Sequence, residues 1–177
     1  FFNVTGNVHF RLAYPKDFAR LIWRGNADFI GEIANLSGLG LDFTHYREYG
    51  LGAAWQGRKW NIGARGKWLQ GLSNVHLANR RTRLKVGEEM YRLKGTSDAT
   101  LHTSMPNQNT SPENYVLSAP GKGIGLDAGA TYQFTDKWRF SAALQDLGFI
   151  RWKNNTHNYN LKGSVDYNGF DVVGNYL

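Results

Sequence analysis

GIGLDAGATYQFTDKWRFSAALQDLGFIRW, residues 123–152, is the stretch whose reading decides the fold. In its first arm Ile124, Leu126, Ala128, Ala130, Tyr132 and Phe134 alternate with Gly125, Asp127, Gly129, Thr131 and Gln133. A side-chain period of two is that of a β-strand. Thr135-Asp136-Lys137 reverses the chain, and the second arm sets Trp138, Phe140, Ala142 and Leu144 against Arg139, Ser141, Ala143 and Gln145. One face of this hairpin is apolar and the other polar. Aromatic residues flank the turn on both arms and small residues follow further in. That is the distribution expected of a membrane-spanning hairpin with an interfacial aromatic girdle, although strands of a water-soluble β-sandwich alternate as well.

Composition favours the first alternative. Aromatic residues make up 14% of the 177 residues and hydrophobic residues 41%, with 21 glycines and six tryptophans. A mean hydropathy of −0.49 beside so many aromatics fits strands with one polar and one lipid-facing side. There is no cysteine, which removes disulfides, thiolate metal sites and a thiol nucleophile. No run reaches the ~18 apolar residues of a membrane-spanning helix, so any crossing is made by strands. The chain begins at Phe1, inside a strand pattern and with no signal peptide, which predicts a processed or partial sequence. The net charge of +7 raises nucleic acid as a partner, yet the basic residues are scattered apart from Arg80, Arg81, Arg83 and Lys85, and no recognition motif accompanies them. No nucleic-acid binding is expected. Anionic lipopolysaccharide and other outer-membrane proteins are the expected partners of basic outer loops.

Outward from the hairpin, the same period recurs. Phe2, Val4, Val8, Phe10, Leu12 and Tyr14 oppose Asn3, Thr5, Asn7, His9 and Arg11 until Pro15 stops the ladder. Residues 16–31 break the period and predict a short helix ended at Arg24-Gly25-Asn26, either a surface helix or a plug folded into a barrel. From residue 39 to 55 an apolar face carrying Leu51 and Trp55 is interrupted by His45 and Arg47, which belong at or above a membrane interface. The opposite face carries Asp42, Thr44, Tyr46 and Glu48. After the Gln56-Gly57-Arg58-Lys59 turn, Trp60, Ile62, Ala64 and Trp68 oppose Asn61, Arg65 and Lys67. This repeats the design of the central hairpin: small residues, an aromatic, a tight basic turn, then a Trp. Two such units predict an antiparallel meander.

Short turns lie on the periplasmic side of outer-membrane barrels and long loops outside, so 56–59 and 135–137 are expected to be periplasmic. Residues 75–105, rich in Arg and Lys, then read as an extracellular β-hairpin extension around Gly87-Glu88-Glu89, and 103–121 as a polar loop with three of the four prolines. A turn at Lys153-Asn154-Asn155 leads to a last alternating stretch through Tyr167 and the end FDVVGNYL. The count is about six membrane strands plus the outer hairpin. Because closed single-chain barrels begin at about eight strands, the missing ones are expected outside this sequence.

No catalytic constellation is present. There is no nucleophile elbow and no isolated carboxylate pair, His9 has no partner ligand at useful spacing, and GKGIGLDAG lacks the helix that a phosphate loop requires. No enzyme activity, cofactor or metal site is expected. The charged residues of interest are Arg65, Lys67, Asp127, Arg139 and Asp146, all read as lumen-lining groups that satisfy one another inside a barrel.

The central hairpin through Asn155, with LIWRGNADFIG and NIGARGKWLQGLSNV upstream, resembles an uncharacterised family of Bacteroidota outer-membrane β-barrels. The shared pattern is a Gly-rich, Asp-containing strand, a T-D-K turn and a DLGFIxW ending at Asp146–Trp152. The resemblance implies an outer-membrane location, an upstream signal peptide and a barrel broadly similar to the fatty-acid-transporter or PorV type; it carries over no functional residues. The expected fold class is therefore all-β: one antiparallel up-and-down transmembrane β-barrel domain over residues 1–177, a portion of a larger barrel, with long extracellular loops and one short helix. A porin-like transporter or channel for a small solute is the expected function. A non-transporting structural or assembly partner of an outer-membrane or secretion complex, and a soluble β-sandwich binding module, are the alternatives.

Overall fold

The computed structural model describes residues 1–88, 92–106, 111, 115 and 119–168. The fold is all-β, with mostly antiparallel strands in one open sheet and one short helix. The strands are β1 (Phe2–Ala13), β2 (Ile33–Asn35), β3 (Gly40–Gln56), β4 (Trp60–Val86), β5 (Leu93–Ser104), β6 (Gly121–Gln133), β7 (Arg139–Trp152) and β8 (Thr156–Tyr167). The helix α1 spans Lys16–Arg24 and is followed by a single 3-10 turn at Ala27–Phe29. The order is β1-β3-β4-β5-β8, with β2 and β6 also on β4, and β7 on β6.

Both expected hairpins form. Phe134 and Thr135 donate to the Trp138 carbonyl across the β6–β7 turn at 3.0 and 3.2 Å, and the Thr135 hydroxyl accepts from the Trp138 amide at 3.2 Å. Gly57 donates to the Trp60 carbonyl at 2.7 Å across the β3–β4 turn. The hairpins are joined because β6 lies antiparallel on β4, Trp60 opposite Tyr132 and Gly71 opposite Gly121.

Two expectations change. The strand expected to end near residue 74 runs on without interruption to Val86, so the outward strand and the first arm of the extension are one element. No proline or glycine interrupts residues 73–86. The extension does close, Gly87 donating to the Arg92 carbonyl at 2.7 Å, while Glu89 lies outside the described residues. Much of the proline-containing loop and the FDVVGNYL end also lie outside them. The turn at 153–155 does not build a β7–β8 hairpin. Lys153 and Asn154 amides both bond the Pro120 carbonyl, Asn155 takes φ 51°, and β8 pairs with β5.

The chain divides into two compact units. The second comprises 10–42, 76–102 and 158–177. Its core is Phe29, Ala34 and Val86, with Leu21, Leu84 and Leu93 packed against them. Helix α1 starts after Pro15 and ends where Gly25, at φ 71°, donates to Leu21. It turns Leu21 to that core and leaves Ile22 and Trp23 exposed. Asp17 accepts the Asn35 amide at 2.9 Å, and Arg20 stacks 4.5 Å over the Phe29 ring. These contacts fix the helix on β2 and the 3-10 turn. A row of Asp42, His76, His102 and Asn158 crosses this unit, with His76 bonded to Asp42 and His102 to Asn158 at 2.6 Å.

The first unit comprises 1–9, 43–75 and 103–157, and carries the lower part of β4 with β1, β3, β6 and β7. Most of its large apolar side chains stand on the exposed face, Leu69 and Leu72 being buried exceptions, and Glu48, Lys67, Ser73 and Ser104 are buried with them. Ile124 is 61% exposed, Leu144 50% and Phe149 63%, whereas Glu48 is 5% and Lys67 6%.

Candidate functional site

Period two along β4 puts Arg65 and Lys67 on one face, and the pairing of β4 with β6 sets Arg65 opposite Asp127 and Lys67 opposite Gly125. A Cβ at Gly125 would sit 3.4 Å from the Lys67 Cβ and Cδ, in ordinary contact, so the lysine packs close over this part of β6. Lys67 Nζ then meets Asp127 Oδ1 at 2.6 Å, Asp146 Oδ1 at 2.5 Å and Glu48 Oε2 at 3.5 Å. Arg65 donates from Nε to Asp127 Oδ2 at 2.7 Å and from Nη1 to Asn3 Oδ1 at 3.3 Å, and its Nη2 lies 3.3 Å from Glu48 Oε1. One continuous charged row thus crosses β1, β3, β4, β6 and β7.

Asp146 reaches the row through a β-bulge. Leu126 pairs with Leu147 and Ala128 with Leu144, so Asp127 faces both Gln145 and Asp146. Unbroken alternation from Leu144 would turn Asp146 to the apolar face. The extra residue rotates it to the polar face while Leu147 and Phe149 stay apolar-side. Asp146 adopts φ 58°, a conformation that Asp tolerates better than most residues, and its amide donates to Asp127 Oδ1 at 2.8 Å. Beyond the bulge, Trp152 covers Gly71 and Gly121, whose Cβ positions would lie 2.6 and 2.7 Å from its ring.

Of the five charges expected to associate, Arg65, Lys67, Asp127 and Asp146 come together and Arg139 does not. Arg139 pairs in register with Gln133 and donates to its Oε1 at 2.7 Å. Six residues of strand separate that position from Asp127, ~20 Å, beyond a side chain's reach. Glu48 is the member that sequence reasoning left out. Its place on the polar face of β3 was readable, but its partners depend on the β3–β4 register.

Two cations face three carboxylates, and every buried side-chain polar atom among the described residues has a partner. Beside the row, a 290 Å³ cavity is lined by Thr44, Tyr46, Glu48, Lys67, Asp146 and Trp152, among others. No group of His, Asp or Glu suited to a metal ion occurs among the described residues. The arrangement offers neither a nucleophile with its base nor a ligand set. It is a polar wall with fixed charges.

The model of a family of unknown function, DUF5723, matches residues 1–176, and the chain belongs to that family. No curated protein and no solved structure matches the chain.

Proposed function

We propose that this DUF5723 chain is part of the wall of an integral bacterial outer-membrane β-barrel, closed by strands outside these 177 residues, and that the barrel passes a small solute. The inverted polarity of the first unit carries the reading. In water, charged side chains are almost never buried while rows of Ile, Leu and Phe face solvent. Lipid on one side and a polar lumen on the other make that arrangement the low-energy one. The dimensions agree. Gly121 to Gln133 is twelve steps of β6, ~40 Å of strand, or ~30 Å of height at the usual tilt, the thickness of a bilayer's hydrocarbon core. Trp60 and Tyr132, rings 4.4 Å apart, and Trp138 form the aromatic border at the short turns.

A lumen wall with a cavity beside Glu48, Lys67 and Asp146 suits a small polar or charged solute. The second reading, a non-transporting structural partner, is favoured by one observation: Lys67, Arg65, Glu48 and Asp127 neutralise one another within the wall. Solute flux in reconstituted vesicles separates the two, since a barrel that assembles and passes nothing removes the transport reading. The membrane reading is tested by placing Arg at Leu144, mid-strand on the apolar face. In lipid the substitution costs about 2–4 kcal/mol of folding stability. If Leu144→Arg folds as stably as the parent and needs no detergent, the face is wetted by water and the membrane reading fails.

A further inference from the structure

On the apolar face of the first unit, the β4–β6–β7 pairings place Trp68, Ile124 and Phe149 side by side. They line an open groove of 480 Å³ together with Ala119 and Pro120. The next same-face step up the strands is a row of another character, Gln70, Lys122 and Arg151 in register, with Lys153 beyond. Lys122, Arg151 and Lys153 are exposed, and none of the three forms an ion pair among the described residues. On β3 the row continues through Arg47 Nη1, which donates to the Tyr49 hydroxyl at 3.4 Å, and that hydroxyl donates to Gln70 Oε1 at 3.1 Å.

We propose that this groove and its cations form a binding site for a phosphate-bearing lipid of the outer leaflet, one acyl chain lying along Trp68, Ile124 and Phe149 and the phosphate held by Lys122, Arg151 and Lys153. The proposal rests on the membrane-barrel reading and specifies its lipid partner. Charge complementarity selects the occupant. Three cations with no ion pair among the described residues, beside an apolar groove, match an anionic head joined to a hydrocarbon chain, and a neutral or zwitterionic lipid leaves them uncompensated. Their level agrees too. They stand one membrane thickness from the aromatic border at the short turns, where phosphates of the opposite leaflet lie.

The test uses the full chain in detergent micelles, titrated with diphosphorylated lipid A and, separately, with phosphatidylglycerol and phosphatidylcholine carrying brominated chains. Quenching is read as the difference between the parent and Trp68→Phe. The expected result is saturable quenching by the brominated anionic lipid, displaced by lipid A and absent with brominated phosphatidylcholine. Inorganic phosphate neither binds nor displaces, which separates a lipid from a free anion. Lys122→Gln with Arg151→Gln is expected to weaken binding roughly thirtyfold, at about a factor of five per charge. Lys59→Gln with Lys137→Gln, which removes equal charge at the turns, leaves it unchanged. Equal affinity of both double variants overturns the site while leaving the barrel reading intact. Failure of the parent to enter lipid vesicles at all overturns both.

Discussion

Lys67 is the residue on which the polar wall depends. Its side chain is 2% exposed and is shared by Glu48, Asp127 and Asp146. Lys67→Met leaves three carboxylates with Arg65 as the one cation of the network, and a loss of about 3–5 kcal/mol is expected in urea titrations of the protein folded into vesicles. Adding Glu48→Gln is expected to restore part of that loss, because the two sites share a network and their effects do not add. Asp146 behaves differently. Its side chain is 75% exposed, so its ion pair is largely solvent-screened, and Asp146→Asn is expected to cost under about 1 kcal/mol. Asp146→Val, a β-branched residue at φ 58°, is expected to cost about 1–2 kcal/mol more in the same titration. Equal costs would show that the bulge backbone imposes no conformational demand. That Arg65, Lys67 and Asp127 belong together was legible from their places on polar faces of neighbouring strands. The bulge was not read, although the apolar residues step from Leu144 to Leu147 across Gln145-Asp146, a change of parity that marks it.

Among the elements, β6 and β7 are held close by absent side chains. A Cβ at Gly123 would strike the Phe149 carbonyl, and one at Gly148 the Ile124 carbonyl. At Gly121 the neighbour is the Trp152 ring, so Gly121→Val is expected to displace that ring and to cost about 1–3 kcal/mol, with Trp152→Ala restoring room in the double variant. A red-shifted Trp emission in the single variant is the accompanying signal; its absence, with unchanged stability, would place Trp152 elsewhere. The hairpins and α1 were legible because their signals are local: period two, Thr-Asp-Lys and Gln-Gly-Arg-Lys turns, and Pro15 and Gly25 as the helix limits. The length of β4 and the pairing of β8 with β5 were not. The apolar residues change face between Val75-Leu77 and Leu84-Val86, which hides that one strand runs through them, and a turn at Lys153–Asn155 has the same sequence whether or not the strands it joins pair.

For the whole molecule, the four exposed tryptophans of the first unit give a measurement of depth. Trp55, Trp60 and Trp138 cluster near the turns and Trp68 stands on the other side of the apolar band. In vesicles whose lipids carry bromine near the head group, the expected outcome is strong quenching of all four. With bromine at the chain ends quenching is expected to be weak. Strong quenching from the chain ends would move the band, and no quenching in either case would remove the membrane assignment. In the first unit β1 and β7 each pair on one side among the described residues. Such open edges recruit further strands, and within the proposed barrel those strands come from outside this sequence.

By itself the sequence determined the strand period, the two faces, the tight turns, the helix and the residues available to carry charge, since each depends only on residues within a few positions of one another. Tertiary structure alone decided that Glu48 joins Arg65 and Lys67, that Asp146 turns away from the apolar face, that Arg139 stays apart, and that Trp68, Ile124 and Phe149 form one groove under Lys122 and Arg151. All of these depend on register between strands, whether joined by a turn, as β6 and β7 are, or distant in the chain, as β4 and β6 are. A shift of one residue exchanges every side chain between faces while leaving the local pattern unchanged.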